Sequence, residues 1–322
     1  QPMRLLRQSL QLFAQGKLSV FLFHKVPPTA DALISGDLGQ AEFANLLDLI
    51  KASFNVLPLN EAVQHLHRGT LPARSVAITF DDGYPEWREG AARLLEDRSL
   101  PATFFITTSQ FFGDPMWNER LAHIVRSCQL PVLDTSTVRL PSLSIRTAEE
   151  KKQALVTLEF HFKYLPPRIR EQFLQQLELQ TGVNAAEVST MPMDDLIAIS
   201  NRGFEIGAHT LNHPILGLCD VKQARDEIGQ TREILEGIIH KPVTSFAYPN
   251  GRPGVDFSPQ HIEMVKQAGY RYAVTTQWGV ANSKTSPYQI PRFTPWGPSR
   301  TRMTLQLIRN FYSTPKHLKE LG

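Results

Sequence analysis

The chain has 322 residues, 42% hydrophobic and 20% charged, with 23 prolines and 19 glycines, a composition that can bury a sizeable core and excludes a disordered chain. The net charge of +3 is concentrated at the ends, where residues 1–17 carry +3 and residues 299–322 carry +4; the body between them is acidic, which argues against nucleic-acid binding, since phosphate recognition needs a positive footprint at its site. Two cysteines, Cys128 and Cys219, exclude a disulfide framework and a cysteine metal cluster and read as buried thiols, a lone disulfide between them being the alternative, and the longest apolar runs fall far short of the roughly 20 residues of a membrane span.

Gln1-Pro2 ahead of Met3 reads as an added or trimmed terminus, and no secretory signal is evident. Residues 4–13 repeat apolar residues at helical spacing around Arg4 and Arg7. Residues 1–18 are therefore expected to form a basic amphipathic helix that packs on the domain or lies on an anionic membrane surface. Residues 19–24 are a compact apolar run ending at His24, a buried strand with its exit loop at Lys25–Pro28. Phe43, Leu46, Leu47 and Ile50 make a helical stripe over residues 40–53, and a second helix over 60–68 stops at Gly69. Residues 75–80 read as a buried strand feeding Asp81-Asp82-Gly83, followed by a helix over 86–97 and a strand over 102–107. Such alternation indicates parallel βα units. Between residues 113 and 200 long helical patterns take over (118–128, 148–163 and 168–181), which reads as a helical insertion in the α/β core. The βα rhythm then resumes with strands at 204–209, 245–248 and 272–276 and helices at 220–239 and 258–268. The expected organisation is thus 1–18, a core over 19–298 with the insertion at 113–200, and a basic C-terminal tail over 299–322.

Asp81 and Asp82 directly follow an apolar strand, and in parallel α/β folds that carboxyl end is where loops assemble active sites. Taken alone, the pair could equally form an Asx-turn or cap a helix. His209 and His213 also follow a strand-like run, four residues apart. On one helical turn both imidazoles would face one cation. Two histidines and a carboxylate leave a fourth position open for water or substrate, the arrangement of a hydrolytic zinc site. Softer metals would need thiolate, and magnesium prefers an all-oxygen shell.

Thr79-Phe80-Asp81-Asp82-Gly83 and His209-Thr210-Leu211-Asn212-His213 resemble the first two motifs of the polysaccharide deacetylases, carbohydrate esterase family 4, and Phe246-Ala247-Tyr248-Pro249-Asn250-Gly251 resembles the third. The resemblance runs from about residue 19 to Trp296. It implies a distorted (β/α) barrel of about seven strands, in agreement with the alternation. It also implies a metal-dependent N- or O-deacetylase acting on an acetylated glycan. By motif position, Asp82, His209 and His213 would ligate a divalent metal, zinc by donor type, and Asp81 would be the general base. The N–H of Asn250 would stabilise the oxyanion, with Gly251 permitting the turn.

Two departures from the family pattern stand out. Ala247 occupies the place where many members carry an arginine that pairs with the base, and no Leu-x-His motif follows Trp278. Phe23-His24-Lys25-Val26 resembles the first-strand segment of a subfamily in which the histidine comes from the start of the chain, which makes His24 the candidate general acid. Arg292, in Ile290-Pro291-Arg292-Phe293, is the candidate for the missing arginine, against the plainer reading of a structural ion pair. Tyr248, Pro249, Trp278, Trp117 and Trp296 are candidates for substrate contact, with core or rim packing the plainer reading of the aromatics. The expected partner is an acetylated glycan, with contact at a membrane surface through the basic ends, in the cytoplasm or at the inner face of a membrane, an exported form staying open. Two rival functions are a cyclic-amide hydrolase of the deacetylase-like group and a non-catalytic glycan-binding barrel.

Overall fold

Every residue of strands β1 (Leu18–Phe23) and β3 (Ser75–Phe80) is buried, as strands covered on both faces must be. The structure, a computed structural model, describes residues 14–31, 33–34, 38–295, 305–306 and 309–311. Short β2 (Asn55–Val56) pairs with the start of β3. The sheet continues with β4 (Thr103–Ile106), while β5 (Val132–Leu133) and β6 (Leu143–Ser144) form a separate antiparallel pair. β7 (Glu205–Ala208), β8 (Ser245–Ala247), β9 (Tyr272–Val274) and β10 (Arg292–Phe293) complete it. Seven parallel strands run in the order β10-β1-β3-β4-β7-β8-β9 as a nearly closed barrel. The two ends of that order meet just ahead of β10, where Ile290 N–H donates to Ala273 at 3.0 Å and Thr275 N–H donates to Ile290 at 2.9 Å.

Helices α1 (Gln40–Ser53), α2 (Leu59–Arg68) and α3 (Ala91–Glu96) precede the insertion. The insertion is built from α4 (Trp117–Ser127), α5 (Ala148–Lys163) and α6 (Pro167–Thr181). Leu121, Ile124, Leu155, Leu158, Leu174 and Leu177 give it a buried cluster of its own. The β5–β6 pair is an addition to the purely helical expectation. Next, α7 (Met193–Asn201), α8 (Val221–Ile239) and α9 (Pro259–Gln267) return to the barrel wall. The outward side chains Ile78, Phe80, Phe104, Ile206 and Phe246 share one core with Phe43 and Ile50 of α1, Leu196 of α7 and Ile228 of α8. α7, within the 113–200 span, therefore belongs to the barrel layer.

The expected helix over 86–97 is broken. A 3-10 turn at Pro85–Trp87 and α3 are separated by Gly90, where a Cβ would sit 2.7 Å from the Glu86 carbonyl and 3.1 Å from that of Val26. The basic amphipathic helix expected over 1–18 lies, up to residue 13, outside the described residues. Most of 299–322 lies outside them too. Phe311, however, is wholly buried and stacks on Phe54 at 5.8 Å, and Asn310 Nδ2 donates to Ser19 Oγ at 2.6 Å, so this part packs on the barrel instead of projecting as a tail. Cys128 is buried and Cys219 half-buried, and both are free. Among the described residues, no helix is long and apolar enough to cross a membrane.

Inside the barrel, Leu18, Val20, Ala77, Phe105, Ala247, Tyr272 and Val274 meet Leu59, Val63 and Leu66 of α2. Glu205, at the start of β7, accepts from Thr103 Oγ1 at 3.0 Å, from Ser245 Oγ at 2.9 Å and from the Tyr272 hydroxyl, and also from the backbone of Asn60 on α2. The amino-terminal end of the barrel is thereby filled, which leaves the carboxyl ends of the strands for chemistry. Phe105 fills the middle of the barrel against Gly207, where a Cβ would lie 2.4 Å from the ring and 2.7 Å from Ser245 Oγ. Gly207→Ala is therefore expected to lower stability by about 1–3 kcal/mol through overpacking, read as a shift in the denaturant midpoint; an unchanged midpoint would show that the ring moves freely.

Candidate active site

Strand alternation sends Asp81 inward, in line with Ala77 and Thr79, and would send Asp82 outward. The backbone prevents that. Asp82 has φ +93° and Gly83 φ +101°, a left-handed reversal that non-glycine residues rarely adopt. It returns the Asp82 carboxylate to the barrel mouth. Gln110 Nε2 and Thr107 N–H hold the turn by donating to the Asp82 carbonyl at 2.7 and 3.1 Å. Tyr84 OH donates to Asp82 Oδ2 at 2.9 Å. Asp82 Oδ1 is buried without a hydrogen-bond partner and lies 3.4 Å from both His209 Nε2 and His213 Nε2.

The two histidines do not share a helical turn, as their spacing suggested. They lie on a loop with Thr210 at φ +66° and His213 at φ +53°. Side-chain acceptors replace the helical bonds there. Glu227 of α8 accepts from Leu211 N–H at 2.9 Å and from Asn212 N–H and Nδ2 at 2.8 Å. Thr210 Oγ1 accepts from His213 N–H at 3.0 Å. His209 Nδ1 is 2.8 Å from the Ala247 carbonyl, which can only accept, so Nδ1 carries the proton and, in the neutral imidazole, the Nε2 lone pair faces the site.

Asp82, His209 and His213 thus bring one ligand atom each to within 4.8 Å of one another. Burial pushes His213 down to about 3, the neutral form that a metal ligand requires. Burial opposes ionisation of Asp82, yet the neighbouring imidazoles of His213, His209 and His24 outweigh it and hold its carboxyl well below the usual range. Burial likewise opposes the His209 imidazolium, but Asp81 and Asp82 raise its pKa overall. An orphaned buried carboxylate oxygen beside two imidazole nitrogens fits one divalent cation.

Asp81 is held differently. Arg292 grips both its oxygens at 2.6 Å, through Nη1 to Oδ1 and Nη2 to Oδ2. The guanidinium also donates from Nε to the Thr275 carbonyl at 2.9 Å and from Nη1 to Thr79 Oγ1 at 3.2 Å. Burial raises the Asp81 pKa, but Arg292 together with His209 and His24 outweighs it, and the net shift is downward. Asp81 therefore stays ionised at neutral pH, with Oδ2 only 3.8 Å from His209 Nε2. Arg292 of β10 is thus the arginine that pairs with Asp81.

His24 directly follows β1 and is half-buried. Its carbonyl accepts from Trp87 Nε1 at 2.8 Å, and its imidazole is near enough that its charge lowers the pKa of both Asp81 and Asp82. At the end of β8, Pro249 is buried and Asn250 adopts φ +58°. The Asn250 N–H finds no acceptor among the described residues. Gly251, at φ +65°, lets the turn approach β9, since a Cβ there would lie 2.8 Å from both Thr276 N and the Tyr248 carbonyl.

The aromatic candidates divide. The Tyr248 ring is wholly buried and stacks on Phe257 at 3.8 Å; it packs the wall beneath the turn and presents no surface to a substrate. Trp278 is 57% exposed, its edge on Phe293. Trp117 is half-buried in the insertion with Arg170 over its ring at 4.7 Å. Trp296 lies outside the described residues. Tyr84, Gln110 and Glu227 support the site without having been singled out from the sequence. Tyr84 lies two residues from Asp82, but Glu227 is one acid on an amphipathic helix and carries no local signal.

Comparisons with known proteins agree with this layout. Residues 68–156 and 172–273, together more than half of the chain, match the family described as polysaccharide deacetylase. YxkH of Bacillus subtilis (strain 168) is 20% identical over 164 residues, covering 49% of this chain and 57% of that relative's length; the chain thus spans little more than half of the curated relative it matches. Among solved structures, the Streptococcus pyogenes deacetylase PplD in complex with acetate superposes with TM-score 0.59 at 15% identity, covering 92% of this chain and 98% of that one. IcaB from Ammonifex degensii superposes with TM-score 0.59 at 17% identity, over 91% and 97%. At such identities the superpositions establish the fold.

The Asp81–Arg292 pair yields a stability prediction. Arg292→Met leaves a buried carboxylate unpaired and is expected to cost about 3–5 kcal/mol, read by chemical denaturation. Adding Asp81→Leu should recover most of that loss. A single variant as stable as the parent protein would mean that the pair is not desolvated.

Proposed function

The chain belongs to the polysaccharide deacetylase family, and from that premise we propose that it is a zinc-dependent hydrolase removing acetyl groups from an N-acetylated sugar polymer or glycan intermediate. The observation that carries this reading is the division between the two aspartates. Asp82 offers a bare oxygen to two imidazole nitrogens 3.4 Å away, whereas Asp81 is clasped by Arg292. Tetrahedral ligands about 2.0–2.1 Å from a zinc ion lie about 3.3–3.4 Å apart, which matches the Asp82 spacing. A cation held by Asp82, His209 and His213 would bring the pKa of bound water towards about 7 and polarise the acetyl carbonyl.

The remaining roles fall to the chain's own residues. Asp81, kept ionised and oriented by Arg292, accepts the proton of the attacking water. The Asn250 N–H, unpaired at the end of β8, donates to the oxyanion that develops on the acetyl group. An amine leaves poorly unless protonated, and His24, directly after β1 at the carboxyl end of the barrel strands, supplies that proton. Trp278 is exposed for stacking on a sugar ring.

Acetate release from a panel of acetylated glycans, combined with metal analysis, tests the reading. His213→Ala should lose both stoichiometric zinc and turnover. Asp81→Asn should keep zinc and lose about 10²–10⁴-fold in turnover, the usual contribution of a positioned base. Equal metal loss in both variants would reject the division of labour.

His24 is tested by its leaving group. His24→Ala should slow amide substrates much more than activated esters, whose leaving groups need no proton. Equal slowing of both would place the acid elsewhere.

A further inference from the structure

One charged group near the site has no part in the chemistry above. Arg170, in the first half of α6, is 6% exposed. Its guanidinium lies over the Trp117 ring at 4.7 Å and makes no hydrogen bond or ion pair among the described residues. The nearby acids are taken. Glu171 accepts from Arg120 at 2.7 and 3.1 Å, and Glu178 at 2.9 and 3.0 Å. Both oxygens of Glu227 hold the histidine loop. Burial pushes Arg170 down to about 10, so it is cationic at neutral pH. Its charge is felt by His213 and by Glu227, so the guanidinium stands within electrostatic range of the histidine loop.

A buried cation without an acceptor is costly to keep. Stacking on an indole uses the face of a guanidinium and leaves its in-plane N–H fork free to bind two oxygens of an anion. Trp117, read from the sequence as a sugar-contact candidate, then serves to orient this fork. We propose that Arg170, presented by the insertion on the face of Trp117, binds an anionic substituent, carboxylate or phosphate, carried by the glycan near the acetyl group that is removed. This rests on the deacetylase reading and narrows its substrate class to acidic glycans.

The test uses zinc-loaded protein and three N-acetylglucosamine oligosaccharides of equal length: one neutral, one alternating with glucuronate, and one joined through phosphodiesters. The parent protein should favour one acidic oligosaccharide over the neutral one by about tenfold or more in kcat/KM, and the winning arm identifies the anion. In Arg170→Gln that ratio should fall towards one, mainly through KM. A parent ratio of one, or a ratio that survives the substitution, overturns the proposal. Calorimetric binding of the same oligosaccharides separates this inference from the reading beneath it. Acidic binding weakened by Arg170→Gln, with no acetate released from any substrate, supports the anion site and rejects deacetylation alone. Acidic binding unaffected by the substitution overturns the anion site whatever the turnover. Should Arg170→Gln not fold, Arg170→Lys keeps the charge and loses the fork; severalfold weaker acidic binding is expected, and unchanged binding overturns the proposal.

Discussion

The buried pair of Asp81 and Arg292 joins the architecture to the chemistry. Arg292 belongs to the last strand, Asp81 follows β3, and the same guanidinium reaches the Thr275 carbonyl beyond β9 and the Thr79 hydroxyl of β3. The group that ties the closing strand to the barrel is therefore also the one that sets the charge and orientation of the candidate base. A carboxylate and a guanidinium taken out of water hold together only with close geometry and further hydrogen bonds. Two contacts of 2.6 Å and the two additional acceptors meet that condition.

The second constraint is backbone reversal at adjacent acids. Two neighbouring residues on a strand face opposite sides, so a single site cannot use both Asp81 and Asp82 unless the chain breaks alternation between them. Positive φ at Asp82 and Gly83 breaks it, and donors from Gln110 and Thr107 hold the break in place. The histidine loop solves a related problem: Glu227 and Thr210 stand in for helical hydrogen bonds, and both imidazoles face Asp82 without a helix. Strained conformations gather at functional sites because the surrounding contacts over-determine them.

The insertion is more than an appendage to the barrel. It has its own buried cluster, yet Arg170 and Trp117 come from it to the neighbourhood of His213. The Tyr164 hydroxyl, just beyond α5, lies 3.4 Å from Asp256 in the loop after the third motif.

Much of this was legible in the sequence, and for a local reason. Continuous apolar runs such as residues 75–80, and helical stripes such as residues 40–53, depend only on nearest neighbours and burial, so they determined the alternating elements and placed Asp81, Asp82, His209 and His213 at strand ends. The motifs that bear the chemistry are likewise short. What the sequence could not determine were the relations across long separations. Arg292 meets Asp81 over 211 positions. Glu227 holds the histidine loop from α8, Gly90 stands where a side chain would meet the Val26 carbonyl on the loop after β1, and Tyr248 turns into the wall where Phe257 stacks on it. Each of these follows from which surfaces the closed barrel presses together, and that is decided only when distant segments compete for the same buried space.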